Sequence, residues 1–370
     1  MPAFDLPPYP YDRLRPLKAV AEAHPDGMVD LSIGTPCDAP PAAVVAALGN
    51  SGTERGYPPS IGTASFRRSA AGWLERRFGV SVDADAELAA CIGTKEFVAS
   101  TPRYLKLREP ERDTVLCPAI SYPSYAMGAA LAGCRAVPVP VDDQWRIDLA
   151  AVDPVDAERA LCLWVNTPGN PAGGLDDLGV VAAWGRAHNV PVLSDECYIE
   201  FTWRGNGRSI LEHGTPGVIA VHSLSKRSNL AGVRAGFYAG DPDLVHWLSE
   251  LRKHAGNMVP GPVQAAAAVA FDDDAHVDAQ RGVYLHRLEF MANTLASLGY
   301  EVDMPGGAFY LWVRAADGDA WALAELLAEK GGAVVSPGEF YGEAGADHVR
   351  LALVQPDDRL ELLAQRLGAR

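Results

Sequence analysis

Val218-Ile219-Ala220-Val221-His222-Ser223-Leu224-Ser225-Lys226 decides the reading of this chain. The apolar run 218–222 has the composition of a buried strand, and a lysine flanked by two hydroxyl residues follows it directly. A lysine just past a buried strand can lose its proton by desolvation and act as a nucleophilic amine. Lysine is also scarce, with six in the chain against 26 arginines. On its own, Lys226 reads equally well as a surface residue after a strand. Shortly downstream, Leu230-Ala231-Gly232-Val233-Arg234-Ala235-Gly236 sets an arginine between glycines, which lets an anion approach the backbone closely.

Working upstream, the same pattern recurs. The strand-like run 161–165 leads into Asn166-Thr167-Pro168-Gly169-Asn170-Pro171-Ala172-Gly173-Gly174, and 190–193 leads into Ser194-Asp195-Glu196-Cys197-Tyr198. An aspartate at the end of a parallel strand is buried and needs a cationic or hydrogen-bonding partner. A helix cap is the plainer account of Asp195, and a core aromatic that of Tyr198. The run 89–92 opens into Gly93-Thr94-Lys95-Glu96, where free helix N–H groups and the Thr94 hydroxyl make a phosphate cradle. Tyr122-Pro123-Ser124-Tyr125, after 114–118, offers aromatic faces to a planar ring. Arg350, amid apolar residues of the strand pattern 348–353, wants a carboxylate. Each residue has an ordinary explanation singly. Jointly, an amine, an aspartate, a phosphate cradle, an aromatic plate and a carboxylate-binding arginine on successive strand ends are the requirements of one cofactor.

Strand-like runs at 89–92, 114–117, 136–141, 161–165, 190–194, 218–222 and 235–239 alternate with helical patterns such as 124–132 and 178–188. This predicts an α/β fold with a mostly parallel sheet between helices. The ligand then belongs at the C-terminal strand ends, where the polar residues collect. From about 262 the pattern changes to a long helical stretch to 298, strands at 309–313, 334–335 and 348–353, and a helix at 321–330. The division expected is a large α/β domain over 46–261 and a smaller α+β domain from 1–45 and 262–370. The short strand 29–33, before a turn at 34–36, joins the smaller one.

Composition narrows the function. The chain has 370 residues, 48% of them apolar, enough for a large core. A net charge of −15 disfavours a nucleic-acid or anionic-membrane binder. The six cysteines are scattered with no CxxC, as in reduced cytosolic proteins. The start, MPAFDLPPYPYDRL, lacks a basic segment followed by an apolar one, and the apolar stretch around 263–271 is too short to span a bilayer. A cytoplasmic location is the expectation. GxxxxGK[ST], GxGxxG, HExxH and GxSxG are all missing. The Asp272–Asp273–Asp274 run with His276 reads as a solvated, dipole-favoured helix start rather than a metal site, and no metal is expected.

These motifs, in this order, resemble the class I/II aminotransferases of pyridoxal 5'-phosphate (PLP) fold type I, through essentially the whole chain. NTPGNPAGG looks like the family's asparagine loop, SDECY its aspartate–tyrosine step, SLSK its lysine box and GVRAG its phosphate arginine. SDECY…AVHSLSK…LAGVRAGF…RKHAGNMVPGPVQAA, with GTKE and SYPSY, is similar to actinobacterial N-succinyldiaminopimelate aminotransferases. Two positions depart: Ala172 stands where Thr or Ser is usual, and Arg227 where small or polar residues are commoner. The resemblance implies that Lys226 holds PLP covalently and then moves the substrate proton. Asp195 would keep the pyridine nitrogen protonated, Asn170 and Tyr198 would bond the ring oxygen, and Tyr122 would stack on the ring. Gly93, Thr94, Lys95, Ser223, Ser225 and Arg234 would surround the phosphate, while Arg350 and the Gly34 backbone would grip the substrate carboxylate. Tyr57 would reach the cofactor phosphate of a partner subunit, which makes the expected unit a homodimer.

The subgroup resemblance further implies glutamate as amino donor and a succinylated keto-pimelate as acceptor, in lysine synthesis. Both are dicarboxylates, and Arg13, Arg227, Arg252 and Lys253 are candidates for a second cationic contact. A PLP carbon–sulfur lyase of the same fold would share every cofactor residue. A PLP-sensing regulator would need a DNA-binding module, and fewer than 30 residues precede the first strand. A plain nucleotide-binding α/β protein would carry one of the missing phosphate motifs.

Overall fold

A computed structural model describes residues 7–369. The first six residues, part of the proline-rich start, lie outside the described residues. After a short strand β1 (Val29–Asp30), the chain builds one large sheet from β2 (Leu88–Cys91), β3 (Thr114–Pro118), β4 (Arg135–Val139), β5 (Ala160–Asn166), β6 (Val192–Asp195), β7 (Val218–Ser223) and β8 (Gly236–Gly240). Its order is β2-β8-β7-β6-β5-β3-β4. The pairs from β4 through β7 are parallel, and β8 runs antiparallel to both its neighbours.

Alternation along the strands explains the layering. Leu163, Val165, Val192, Val218 and Ala220 face one apolar core, while Cys162, Trp164, Leu193, Ile219 and Val221 face another on the opposite side. All seven residues of β5 are buried, as a strand covered on both faces requires. This is the mostly parallel α/β sheet the sequence predicts.

A second, antiparallel sheet has the order β11-β12-β9, from β9 (Tyr310–Arg314), β11 (Ser336–Pro337) and β12 (His348–Ala352). Strand β10 (Ala333–Val334) pairs with β1, bringing the start of the chain to this unit. The core here joins Leu14, Leu17 and Leu31 to Leu311, Leu327 and Leu351.

The helical stretch expected over 262–298 is two helices, Gly261–Asp272 and Ala275–Ser297. Asp273 breaks it by accepting the Ala275 N–H at 2.9 Å, and the Arg227 guanidinium caps the carbonyls of Ala270 and Asp273. The first of these helices packs Ala266, Ala267, Ala270 and Phe271 into the core of the large sheet. The acidic run is therefore engaged, not merely solvated. Asp272 accepts from Ser69, Asp273 pairs with His276, and Asp274 pairs with Arg76 and Arg227.

Candidate active site

The parallel strands deliver their last residues to one edge of the large sheet. Asn166 and Asp195 end β5 and β6 in register with each other, and β7 ends at Ser223. Because β8 runs the other way, its beginning lies at that same edge. Arg234, two residues before β8, thus meets Lys226, three residues after β7. Gly93, between β2 and the helix Thr94–Arg108, has φ +75°, and a Cβ there would collide with the Arg234 guanidinium. Only glycine lets that arginine lie against the helix N-terminus.

A cavity of about 380 Å³ opens at this edge, roofed by the smaller unit. Thr94, Lys95, Tyr122, Asn170, Asp195, Tyr198, Ser223, Ser225, Lys226, Arg234, Gly34 and Arg350 line it, from sequence positions 34 to 350. Gly93 stands behind Arg234. Tyr57 is outside the cavity and 97% exposed.

Lys226 occupies the floor, its ammonium resting on the Gly34 carbonyl. Burial pushes its pKa down to about 8, with the charges of Arg350 and Arg234 adding to the effect and Cys197 and Asp195 opposing it. Asp195 is buried, which raises its pKa, while hydrogen bonds stabilise its ionised form. Tyr125 donates to its carboxylate at 3.1 Å and the Cys197 N–H at 3.3 Å. Asn166 donates to the Asp195 carbonyl at 2.7 Å and accepts the Asn170 N–H at 2.8 Å, locking two strand ends together.

Arg350 is fully buried without a carboxylate partner among the described residues. Its guanidinium donates to Asn170 Oδ1 at 2.8 Å and to the Ser32 carbonyl at 2.5 Å. The rings of Tyr310 and Tyr341 sit 4.3 and 4.9 Å from it. A buried guanidinium held by neutral groups is an anion site in waiting. Tyr198 directs its hydroxyl to that of Tyr310, 2.7 Å away.

These groups suit PLP. Arg234, the helix N-terminus and the Thr94, Ser223 and Ser225 hydroxyls fit a phosphate. A buried carboxylate fits a protonated ring nitrogen, and an amine of lowered pKa fits an aldehyde.

The four cations considered for a second carboxylate do not line the cavity. Arg227 points away from it, toward Glu200 and Asp274. Arg252 forms a two-pronged pair with Glu96 at 3.0 and 2.6 Å. Lys253 pairs with Glu250 and Arg13 with Glu339. Sequence reasoning also missed Asn166, Tyr125, Cys197, Tyr310, Tyr9 and Tyr11 as lining residues. Tyr125 carried a signal, since it closes the Tyr122-Pro123-Ser124-Tyr125 segment read as offering aromatic faces to a planar ring.

Comparison with known proteins agrees with this geometry. Residues 26–367 match the model of the family described as aminotransferase class I and II. The chain is 41% identical over 373 residues to 4-dedimethylamino-4-oxo-anhydrotetracycline transaminase OxyQ of Streptomyces rimosus, covering 98% of this chain and 99% of that one. It is 33% identical to the LL-diaminopimelate aminotransferase of Aquifex aeolicus, covering 98% and 96%. Among solved structures, a probable N-succinyldiaminopimelate aminotransferase from Thermus thermophilus superposes with a TM-score of 0.87 at 30% identity, covering 96% and 98%. The chain belongs to the class I and II aminotransferases, a family that depends on pyridoxal 5'-phosphate.

Proposed function

We propose that this aminotransferase moves an amino group from glutamate to a second dicarboxylate, the keto acid of N-succinyl-LL-2,6-diaminopimelate. The observation that carries the catalytic reading is the Lys226 amine of lowered pKa between Asp195 and an arginine, Arg350, that has no acid partner among the described residues. Bound there, PLP supplies an electron sink that makes the substrate Cα–H bond acidic. Asp195 keeps the ring nitrogen protonated, with Tyr125 and the Cys197 N–H holding its carboxylate ionised. Arg350 fixes the α-carboxylate through two N–H groups, orienting the Cα–H bond toward Lys226. The Lys226 Nζ then takes the proton from Cα. Tyr198 and Asn170 present polar groups to the ring oxygen, Tyr122 covers the ring face, and Arg234 with Thr94, Ser223 and Ser225 takes the phosphate.

Lys95 supports the dicarboxylate reading. Its ammonium lies 5.2 Å from the Tyr9 ring centre and 5.7 Å from that of Tyr122, and it makes no ion pair among the described residues. An exposed cation lining the cavity suits the distal carboxylate, so we place Lys95 there rather than on the phosphate. The likeness to a probable N-succinyldiaminopimelate aminotransferase supports the same substrate.

A second reading is amination of a bulky ring ketone. It is favoured by the aromatic mouth of Tyr9, Tyr11 and Tyr122 and by the likeness to OxyQ, whose name specifies such a substrate.

A coupled assay over amino donors, with the succinylated keto acid, plain 2-oxo acids and cyclic ketones as acceptors, tests the choice. Ping-pong kinetics with glutamate and the succinylated acceptor is expected. Preference for a cyclic ketone would select the second reading. Release of pyruvate and ammonia without an acceptor would reveal a lyase and overturn both.

A further inference from the structure

Tyr310 lies in β9 beside Trp312, the register partner of Arg350. It is buried, and its two ends touch two different parts of the site. The ring face lies 4.3 Å from the Arg350 guanidinium, and the hydroxyl lies 2.7 Å from that of Tyr198. The hydroxyl also reaches the backbone of Gly34, where a Cβ would collide with it. Thus Gly34 is glycine because Tyr310 comes so close. Among the described residues Arg350 has no acid to orient it, and its Nε is buried with no partner. Ring faces and two neutral oxygens set its direction.

We propose that Tyr310 is a positioning residue with two separable functions: its ring holds the Arg350 guanidinium in place for the substrate carboxylate, and its hydroxyl holds that of Tyr198 in place for the cofactor oxygen. This rests on the roles given above to Lys226, Tyr198 and Arg350. A cation over a desolvated ring face is attracted by the ring quadrupole, which fixes the guanidinium plane. Either hydroxyl of this pair can donate; with Tyr310 donating, Tyr198 becomes the better donor to the cofactor. A stronger bond to the cofactor oxygen holds down the pKa of the lysine–cofactor linkage. The other groups acting on Lys226 are Cys197 and Asp195, which raise its pKa, and Arg350 and Arg234, which lower it. Tyr310 itself faces Arg350, Tyr198, Cys197 and Tyr11.

The test compares Tyr310→Phe, Tyr310→Leu and Tyr198→Phe as holoenzymes. Visible absorbance of the lysine-bound cofactor is titrated against pH, and KM for the amino donor is measured beside calorimetric binding of an unreactive carboxylate. Tyr310→Phe keeps the ring and loses the hydroxyl. Its midpoint should rise by about half a pH unit, with KM and carboxylate affinity within about twofold. Tyr198→Phe should move the midpoint further in the same direction. Tyr310→Leu loses both functions, and its KM and carboxylate Kd should also rise about tenfold. An unmoved midpoint in Tyr310→Phe, with a moved one in Tyr198→Phe, overturns the proposal and leaves the catalytic reading intact. Unchanged carboxylate affinity in Tyr310→Leu overturns the function of the ring. If Tyr198→Phe also leaves the midpoint unmoved, Tyr198 has no hold on the cofactor, and its assigned role falls together with the proposal.

Discussion

Lys226 must be neutral before its amine can bond an aldehyde, and its surroundings favour that state. With a pKa held at about 8, the neutral fraction falls roughly tenfold for each pH unit below that value. The rate at which apoenzyme captures PLP should therefore climb from pH 6 to 8 and level off above, as stopped-flow absorbance would show. A plateau reached only near pH 10 would mean an ordinary lysine. At Arg350, removal of a charge-assisted, two-pronged contact costs about 1.5–3 kcal/mol. Arg350→Ala should raise KM for the amino donor by about 10–100-fold, and an unchanged KM would reassign the carboxylate site. Residues such as Lys226, Asp195 and Arg234 were legible in the sequence because each is a polar residue beside an apolar run. Tyr310 was not, because a tyrosine inside Ala308-Phe309-Tyr310-Leu311-Trp312 is indistinguishable from core until β12 is known to lie opposite. Lys95 was legible as a cavity residue, but its partners come from Tyr9, 86 positions away.

At the scale of elements, the reversed direction of β8 does what no local pattern announces. The alternation of strands and helices predicted a mostly parallel sheet, and the sheet is that. Its one antiparallel member brings Arg234 back to the edge where Lys226 lies. The Asp272–Asp274 run reads as a helix start, yet one helical stretch is expected across it from 262 to 298, since apolar residues recur at helical spacing on both sides. Arg227 reinforces the break at Asp273: its guanidinium lies between Trp73 and Phe271 and satisfies carbonyls at the end of one helix and Asp274 at the start of the next. Truncation there leaves buried carbonyls and Glu200 short of a partner. Arg227→Met should destabilise the fold by about 3 kcal/mol without changing the amino-donor preference, since the side chain points away from the cavity. Denaturant melts paired with the donor panel would check this. An altered donor preference would contradict it.

For the whole molecule, an acidic chain encloses a locally basic cavity, where Lys95, Lys226, Arg234 and Arg350 face, among the described residues, the single carboxylate of Asp195. That pattern suits anionic substrates and an anionic cofactor within a protein of net charge −15. Tyr57 stands 97% exposed, which fits a side chain that completes the site of another copy. Light scattering should give the mass of a dimer. Tyr57→Phe should weaken PLP retention about tenfold while the mass stays dimeric, and full retention would detach Tyr57 from the cofactor.

If one side-chain amine, on Lys226, holds the cofactor, borohydride reduction of the PLP-loaded protein will trap it there. Peptide mass spectrometry should then find a single pyridoxyl modification, on the peptide carrying Ser225-Lys226, which is lost in Lys226→Ala. A modification on another of the six lysines, or none at all, would contradict it.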